Sequence, residues 1–153
     1  LGYLDVVMYH EPTNTFKIMD IKTSTKGWRE QDKNNEDKQF QLLLYKQFFS
    51  EQYSIPLDSI EIEFFILKRK VLDADDAKLM SPYQAHRVQR FTPPSGKIKL
   101  GRAKNAVNSF IKECFSLEGK IKDTEYPKQP SKWSCNFCPY SKDKENCGEG
   151  ISF

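Results

Sequence analysis

The first part of the chain has the apolar and polar pattern of a β-hairpin. Residues 3–9 are mostly β-branched or aromatic, which is typical of a strand, and residues 16–22 follow the same pattern. Between them, residues 10–15 form a cluster of turn-forming side chains that includes Pro12. We therefore predict two antiparallel strands joined by a short turn.

The hairpin predicts a pair of facing carboxylates. If the turn is centred between Pro12 and Thr13, Asp5 lies directly opposite Asp20 on the same face, with side chains roughly 5 Å apart. Lys22 projects from that face as well, because side chains alternate along a strand. A slip of one residue would turn Asp5 to the other face, so the prediction depends on the register.

The remaining pattern predicts two helices and two further strands. Residues 23–37 are polar and are expected to form a loop, and residues 38–53 a helix with an apolar stripe. Residues 60–71 read as a strand buried on both faces, and residues 85–92 as an edge strand. Residues 73–82 are expected to form a loop or a short turn. The last helix is predicted at residues 100–118, with a buried face formed by Ala103, Val107, Phe110, Ile111 and Cys114.

These elements predict an α/β fold. Its centre would be a mixed β-sheet of about four strands flanked by helices, with a cysteine-containing tail at the C-terminus. We assign residues 1–126 to the core and residues 127–153 to a tail packed on it. Because Leu1 stands directly before a strand pattern, we expect that a further segment precedes it.

Composition restricts the function classes only moderately. The chain has 153 residues, enough for one domain with a core, and 24 basic against 21 acidic residues give a net charge of +3. No apolar run has membrane-spanning length and no signal peptide is visible, which predicts a soluble, cytoplasmic protein. Two basic runs, Lys68-Arg69-Lys70 and the segment from Lys97 to Lys104, permit a nucleic-acid partner, although each could equally be a solvated face.

The candidate chemistry lies at Asp20 and Lys22. A carboxylate can hold a divalent cation, and a neighbouring ammonium can stabilise an attacking water or a developing negative charge. This pair suits metal-assisted hydrolysis. In the following loop, Trp28 could stack on a base or could anchor the loop to the domain.

Three motifs together resemble those of the PD-(D/E)XK nuclease superfamily, and most closely its RecB-like exonuclease branch. In chain order they are Gly2-Tyr3-Leu4-Asp5, Ile18-Met19-Asp20-Ile21-Lys22-Thr23-Ser24 and Gln41-Leu42-Leu43-Leu44-Tyr45. The branch includes nuclease domains of recombination helicase–nucleases, CRISPR-adaptation nucleases and phage nucleases, and its distinguishing mark is the Gln-x-x-x-Tyr helix.

The resemblance implies a restriction-endonuclease-like fold and a role for each matching residue. Asp5, Asp20 and the backbone carbonyl of Ile21 would bind Mg²⁺ or Mn²⁺, and Lys22 would position the nucleophilic water. Gln41 and Tyr45 would hold the site or contact a DNA phosphate. Lys26 and Trp28 are further candidates for DNA binding.

The implied activity is a metal-dependent DNA exonuclease of recombination, repair or phage DNA metabolism, acting with a helicase or recombination protein. Hydrolysis would be a single in-line attack of water on the phosphodiester. Two alternatives are a catalytically inactive DNA-binding or scaffolding module with this fold, and a small zinc-binding interaction domain.

Three cysteines near the C-terminus have the spacing Cys-x2-Cys-x8-Cys, at Cys135, Cys138 and Cys147. In the iron–sulfur members of the branch, three such cysteines join a fourth that lies before the first motif. A 4Fe–4S cluster would therefore need a ligand before Leu1, or Cys114. The alternatives are a zinc site completed by His10 or His86, and reduced cysteines without a metal.

Overall fold

In the computed structural model, four strands form one mixed sheet whose spatial order equals their chain order. The outer pairs are antiparallel and the central pair is parallel. The strands are β1 (Val6–His10), β2 (Thr15–Ser24), β3 (Ile60–Lys68) and β4 (Val88–Phe91). The predicted α/β fold with a mixed four-stranded sheet and flanking helices is confirmed.

The structure describes residues 2–70, 86–124, 130–141, 143, 145 and 147. The loop predicted at residues 73–82 lies outside them. Contacts divide the chain into two compact units, Leu1–Ile111 and Lys112–Phe153. Our division of the chain at residue 126, with the tail packed on the core, stays a prediction.

The β1–β2 hairpin has the predicted register. Val6 pairs with Met19, and this is the last pair of the hairpin before Asp5. The turn contains one 3₁₀ turn, Glu11–Thr13, followed by Asn14 in the left-handed region at φ 51°. β1 begins three residues later than predicted, because the chain bends at Asp5 and leaves the sheet there.

The connection from β2 to β3 contains two helices, α1 (Glu30–Lys33) and α2 (Glu36–Tyr53). The first lies in the segment that we predicted to be a loop. α2 begins two residues earlier than predicted because the Asn35 side chain caps it, accepting from the Asp37 and Lys38 amides at 2.9 and 3.4 Å. As the crossover between two parallel strands, α2 packs across the sheet.

The core lies on the sheet face that carries the even-numbered residues of β2 and β3. α2 and the first half of α3 (Lys97–Cys114) cover this face. The buried set comprises Ile18, Leu42, Leu43, Ile60, Ile62, Phe64, Ile66, Leu100 and Ala103.

Two burial predictions are wrong. α3 spans Lys97–Cys114 rather than residues 100–118, and Phe110 and Ile111 are 58% and 49% exposed because only its first half reaches the core. β3 is not buried on both faces, since Glu61 is exposed and Leu67 is 39% exposed. Along β3 all even-numbered positions from Ile60 to Ile66 are buried, whereas among the odd-numbered positions only Glu63 is.

One carboxylate is nevertheless buried on the second face. Glu63 is 4% exposed and accepts two hydrogen bonds from the Arg90 guanidinium at 2.6 and 2.9 Å. The Lys17 ammonium lies 3.1 Å from the same carboxylate. The two cations outweigh the desolvation of Glu63, so that its pKa is held below the usual value.

In its described part, the second unit has a short bridge between Phe115 and Ile121 and a helix, α4 (Lys132–Asn136). Ser131 caps α4 by accepting from the Ser134 amide at 3.1 Å. Among the described residues of either unit, no helix is both long and apolar enough to cross a bilayer.

Candidate active site

β2 places Asp20 and Lys22 on the face that α2 covers. Asp20 is only 2% exposed, and Lys22 is half-buried beside it. The Lys22 ammonium lies 2.8 Å from Asp20 Oδ2. The alternation predicted from sequence therefore brings a carboxylate and an ammonium into direct contact at the boundary between the core and solvent.

α2 contributes two polar side chains at this boundary. Lys22 Nζ donates to Gln41 Oε1 at 2.8 Å, and Gln41 Nε2 donates to the Tyr45 hydroxyl at 2.9 Å. Because an ammonium can only donate, the Gln41 carbonyl must face Lys22 and its amino group must face Tyr45. The Tyr45 oxygen therefore accepts, and its own proton remains available to a further acceptor.

Asp5 reaches the site through the backbone of β2. Its Oδ2 accepts a hydrogen bond of 2.7 Å from the Ile21 amide. The amide and carbonyl of one residue in a strand point to the same edge, so the Ile21 carbonyl also lies on the β1 side. The last β1–β2 pair is Val6 with Met19, which leaves that carbonyl beyond the hairpin's hydrogen-bonded ladder.

Asp20 is in an environment that disfavours its charge. Burial raises the pKa of its carboxyl, and Asp5 adds to this, while Lys22 acts in the opposite direction. Among the described residues, Asp20 Oδ2 contacts the Lys22 ammonium and has no further hydrogen-bond donor. Because a carboxylate oxygen has more than one lone pair, Asp20 can accept an additional ligand such as a cation.

This donor set fits a hard divalent cation. Asp5, Asp20 and the Ile21 carbonyl offer oxygen atoms, which Mg²⁺ and Mn²⁺ prefer, and these ions retain several waters of their own. Within the described ranges, no group of three or more His, Cys, Asp and Glu side chains converges on one point. A cation here would accordingly be held by two carboxylates and backbone, with open positions for water and substrate.

Gly2 is a site residue whose role was not predicted. A Cβ added to Gly2 would lie 2.8 Å from Cε1 of Tyr45, so only glycine allows the backbone to approach the ring this closely. The available sequence signal was a glycine immediately before a strand, which often marks a close backbone approach.

Trp28 and Lys26, the two loop candidates for DNA binding, have different environments. The Trp28 ring packs 4.9 Å from Phe64 in the core, and the Gln89 side chain holds the Trp28 amide and carbonyl at 2.7 and 3.0 Å. This is the anchoring role given above as the alternative to base stacking. Lys26 is exposed and lies two residues beyond the end of β2.

The three cysteines of the tail lie in the second unit. Cys135 is buried, and Cys138 and Cys147 are half-buried. Within the described part of the chain, they do not converge with other His, Cys, Asp or Glu side chains in groups of three or more. A 4Fe–4S cluster or a zinc site at these cysteines therefore stays a prediction.

Comparison with known proteins agrees with the arrangement of Asp5, Asp20 and Lys22 on one hairpin. The family model of the PD-(D/E)XK nuclease superfamily matches residues 1–142, which includes the whole described site. No curated protein matches the chain, and no solved structure does. Because the match covers nearly all of the chain and the site geometry follows its motifs, this protein belongs to the PD-(D/E)XK nuclease superfamily.

Proposed function

We propose that this protein is a metal-dependent deoxyribonuclease whose active site is formed by Asp5, Asp20, Lys22, Gln41 and Tyr45. One observation carries the proposal: the buried Asp20 carboxylate, the Lys22 ammonium and the Gln41 side chain form one connected polar chain at the boundary of the core, with Lys22 2.8 Å from both partners. A buried charged cluster of this kind is costly to desolvate, which favours a functional role over a purely structural one.

Asp5, Asp20 and the Ile21 carbonyl would hold Mg²⁺ or Mn²⁺, which supplies Lewis-acid stabilisation of phosphate charge. Lys22 would donate hydrogen bonds to the attacking water and to a non-bridging oxygen as negative charge develops on it. Gln41 orients this ammonium through the 2.8 Å contact. The Tyr45 proton is free to be donated to a phosphate oxygen, because the Tyr45 oxygen already accepts from Gln41.

We further assign the protein to the RecB-like branch and propose exonuclease action in recombination, repair or phage DNA metabolism, with a helicase or recombination protein as partner. The direct hydrogen bond between Gln41 and Tyr45 supports the branch, since these two residues form its characteristic helix motif. The mode of cleavage and the partner rest on the resemblance alone.

The test is a nuclease assay with Mn²⁺ on linear and circular DNA, comparing the wild type with Lys22→Ala and with Lys97→Ala as a matched control. Lys97 is exposed on α3 and distant in sequence from the motifs. We expect cleavage by the wild type and the control, but not by Lys22→Ala, and cleavage of linear DNA only. Equal activity of Lys22→Ala would refute the mechanism, and an inactive wild type that still binds DNA would favour the non-catalytic alternative.

Elemental analysis of the purified protein tests the cysteine proposals separately. Iron with sulfide would support a 4Fe–4S cluster, and stoichiometric zinc would support a zinc site. Absence of both would leave Cys135, Cys138 and Cys147 as ordinary thiols without affecting the hydrolytic site.

A further inference from the structure

Basic residues from three chain segments lie at one end of the sheet, where β2 and β3 end and β4 begins. Beyond the last β2–β3 pair, the Arg69 amide donates to the Ser24 carbonyl at 2.8 Å and the Lys70 amide to the Thr25 carbonyl at 3.0 Å. On the other side of β3, the Lys68 amide donates to the Arg87 carbonyl at 2.8 Å. We name the exposed basic residues Lys26, Arg69, Lys70 and Arg87 the basic edge.

The basic edge lies close to Lys22. In register, Lys22 aligns with Ile66, and Ile66 aligns with Gln89. Arg87 is two residues before Gln89 and directly precedes β4. With about 3.3 Å per residue and about 4.8 Å between strands, the backbones of Lys22 and Arg87 lie roughly 12 Å apart.

The charges of the basic edge are not neutralised by the described part of the chain. All four side chains are exposed, and none forms an ion pair with a described carboxylate. The Arg69 guanidinium donates instead to the neutral Thr25 hydroxyl at 3.3 Å. Four exposed like charges carried by neighbouring segments at one end of the sheet repel one another, which favours a polyanionic partner.

The second basic run of the sequence provides the contrast. On α3, Lys99 and Arg102 both contact Glu36, and Lys104 contacts Glu51 at 3.0 Å. These cations tie α3 to α2 and are therefore used within the fold. The two runs look alike in sequence, whereas in the structure Lys99, Arg102 and Lys104 are paired with carboxylates and Arg69 and Lys70 have no ion pair with a described residue.

We propose that the basic edge binds the phosphate backbone of a nucleic-acid strand that extends from the active site across the ends of β2 and β3. This inference rests on the proposed nuclease function and deepens it, because it assigns a path to the bound strand. Binding would be independent of sequence, since the contacts are with phosphates and not with bases.

The test compares the triple variant Arg69→Gln, Lys70→Gln, Arg87→Gln with the triple control Lys97→Gln, Lys112→Gln, Lys120→Gln, which removes the same charge from exposed positions elsewhere. Affinity for a fluorescein-labelled single-stranded oligonucleotide is measured by anisotropy in EDTA, where cleavage is absent, across a salt series. Each lost phosphate contact lowers the slope of log K against log salt by about 0.7.

We expect the slope of the edge variant to fall by about 2, so that between about 200 and 50 mM salt its affinity rises roughly 16-fold less than that of the wild type. The control should retain the wild-type slope. Equal slopes for the edge variant and the wild type would overturn the inference, as would equal loss in the control or failure of the wild type to bind.

Cleavage by the wild type, measured in parallel, separates this inference from the proposed function. If the wild type cleaves DNA while the edge variant keeps the wild-type slope, the nuclease stands and the basic edge is refuted. If the wild type binds through the basic edge but does not cleave, the edge is supported and the proposed activity is refuted.

Discussion

The Lys22 ammonium donates a hydrogen bond of 2.8 Å to the side-chain carbonyl of Gln41, and thereby joins strand β2 to helix α2 at the proposed active site. Lys22 is also 2.8 Å from Asp20, so a single cation is held from two sides. A flexible lysine side chain otherwise samples many rotamers, which costs entropy when it must act at one position. Gln41 reduces that cost by restricting Lys22 before substrate binds.

Gln41→Leu should lower kcat by about 10- to 100-fold, because a hydrogen bond to a charged group is worth about 1.5–3 kcal/mol. Gln41 is exposed, so the melting temperature should change little. The measurement is single-turnover DNA cleavage with Mn²⁺. Gln47→Leu is the matched control. Gln47 lies on the same helix and donates to Glu51, four residues later, at 2.8 Å, just as Gln41 donates to Tyr45. Similar rates for Gln41→Leu and the control would remove Gln41 from the catalytic set.

Gly2→Ala should impair cleavage without unfolding the protein. The added methyl would start 2.8 Å from the Tyr45 ring and would displace it, although Gly2 itself is exposed. We expect a loss of about ten-fold, comparable to removing one hydrogen bond of about 1.4 kcal/mol. Tyr45→Phe in combination with Gly2→Ala should add little further loss, and independent additive effects would contradict this coupling.

Gly101→Ala should stabilise the protein. Gly101 lies inside α3, and a Cβ there would meet no atom within 4 Å. Replacing glycine by alanine in a helix interior gains roughly 0.5–1 kcal/mol. A urea unfolding curve should show a higher midpoint with unchanged cleavage activity. A lower midpoint would mean that α3 does not continue through this position as a helix.

Asp20→Asn should abolish the response of stability to metal. Mn²⁺ at about 100 times its Kd should stabilise the wild type by about 2.7 kcal/mol, and the variant, which lacks a ligand charge, should not respond. In EDTA at neutral pH, the variant should be at least as stable as the wild type, because burial penalises the ionised Asp20 carboxylate. Thermal melts with and without Mn²⁺ measure both effects. Asp123→Asn, at an exposed position, should leave the metal response intact.

Glu63→Gln should destabilise the protein by about 1–3 kcal/mol at neutral pH, through weaker bonds to Arg90 and Lys17. Since the pKa of Glu63 is lowered on folding, the stability that its charge provides is complete above the unfolded-state pKa near 4.5. It is lost as pH falls through that value toward the folded-state pKa.

The difference between the wild type and Glu63→Gln should therefore shrink in melts below about pH 4.5. Glu61→Gln is the control, because the Glu61 carboxylate is 65% exposed and pairs only with Lys17, at 3.4 Å. A pH-independent difference for Glu63→Gln would show that the effect comes from packing and not from charge.

Much of the site was predictable because it depends on local periodicity. The turn between residues 10 and 15 fixes the hairpin register, and the register brings Asp5 to the end of the hairpin, where its carboxylate accepts from the Ile21 amide. The spacing of Gln41 and Tyr45 places them on one helix face. The extra helix α1 was missed because it has only four residues and no apolar stripe. β3 was misjudged because its apolar residues occur on both faces, while only one face has a helix against it.

The amino-acid sequence by itself determined the hairpin, the order of strands and helices along the chain, and the residue types offered to the site, since these follow from alternation, helical spacing and turn chemistry. Only the tertiary structure decided that Gln41 contacts Lys22 and that Gly2 lies against Tyr45. It also decided that Arg102 and Lys104 of α3 form ion pairs with Glu36 and Glu51, whereas the basic edge forms none with a described carboxylate. Such relationships join residues far apart in the chain, and their distances are set by how the helices pack on the sheet, for which no local pattern carries a signal.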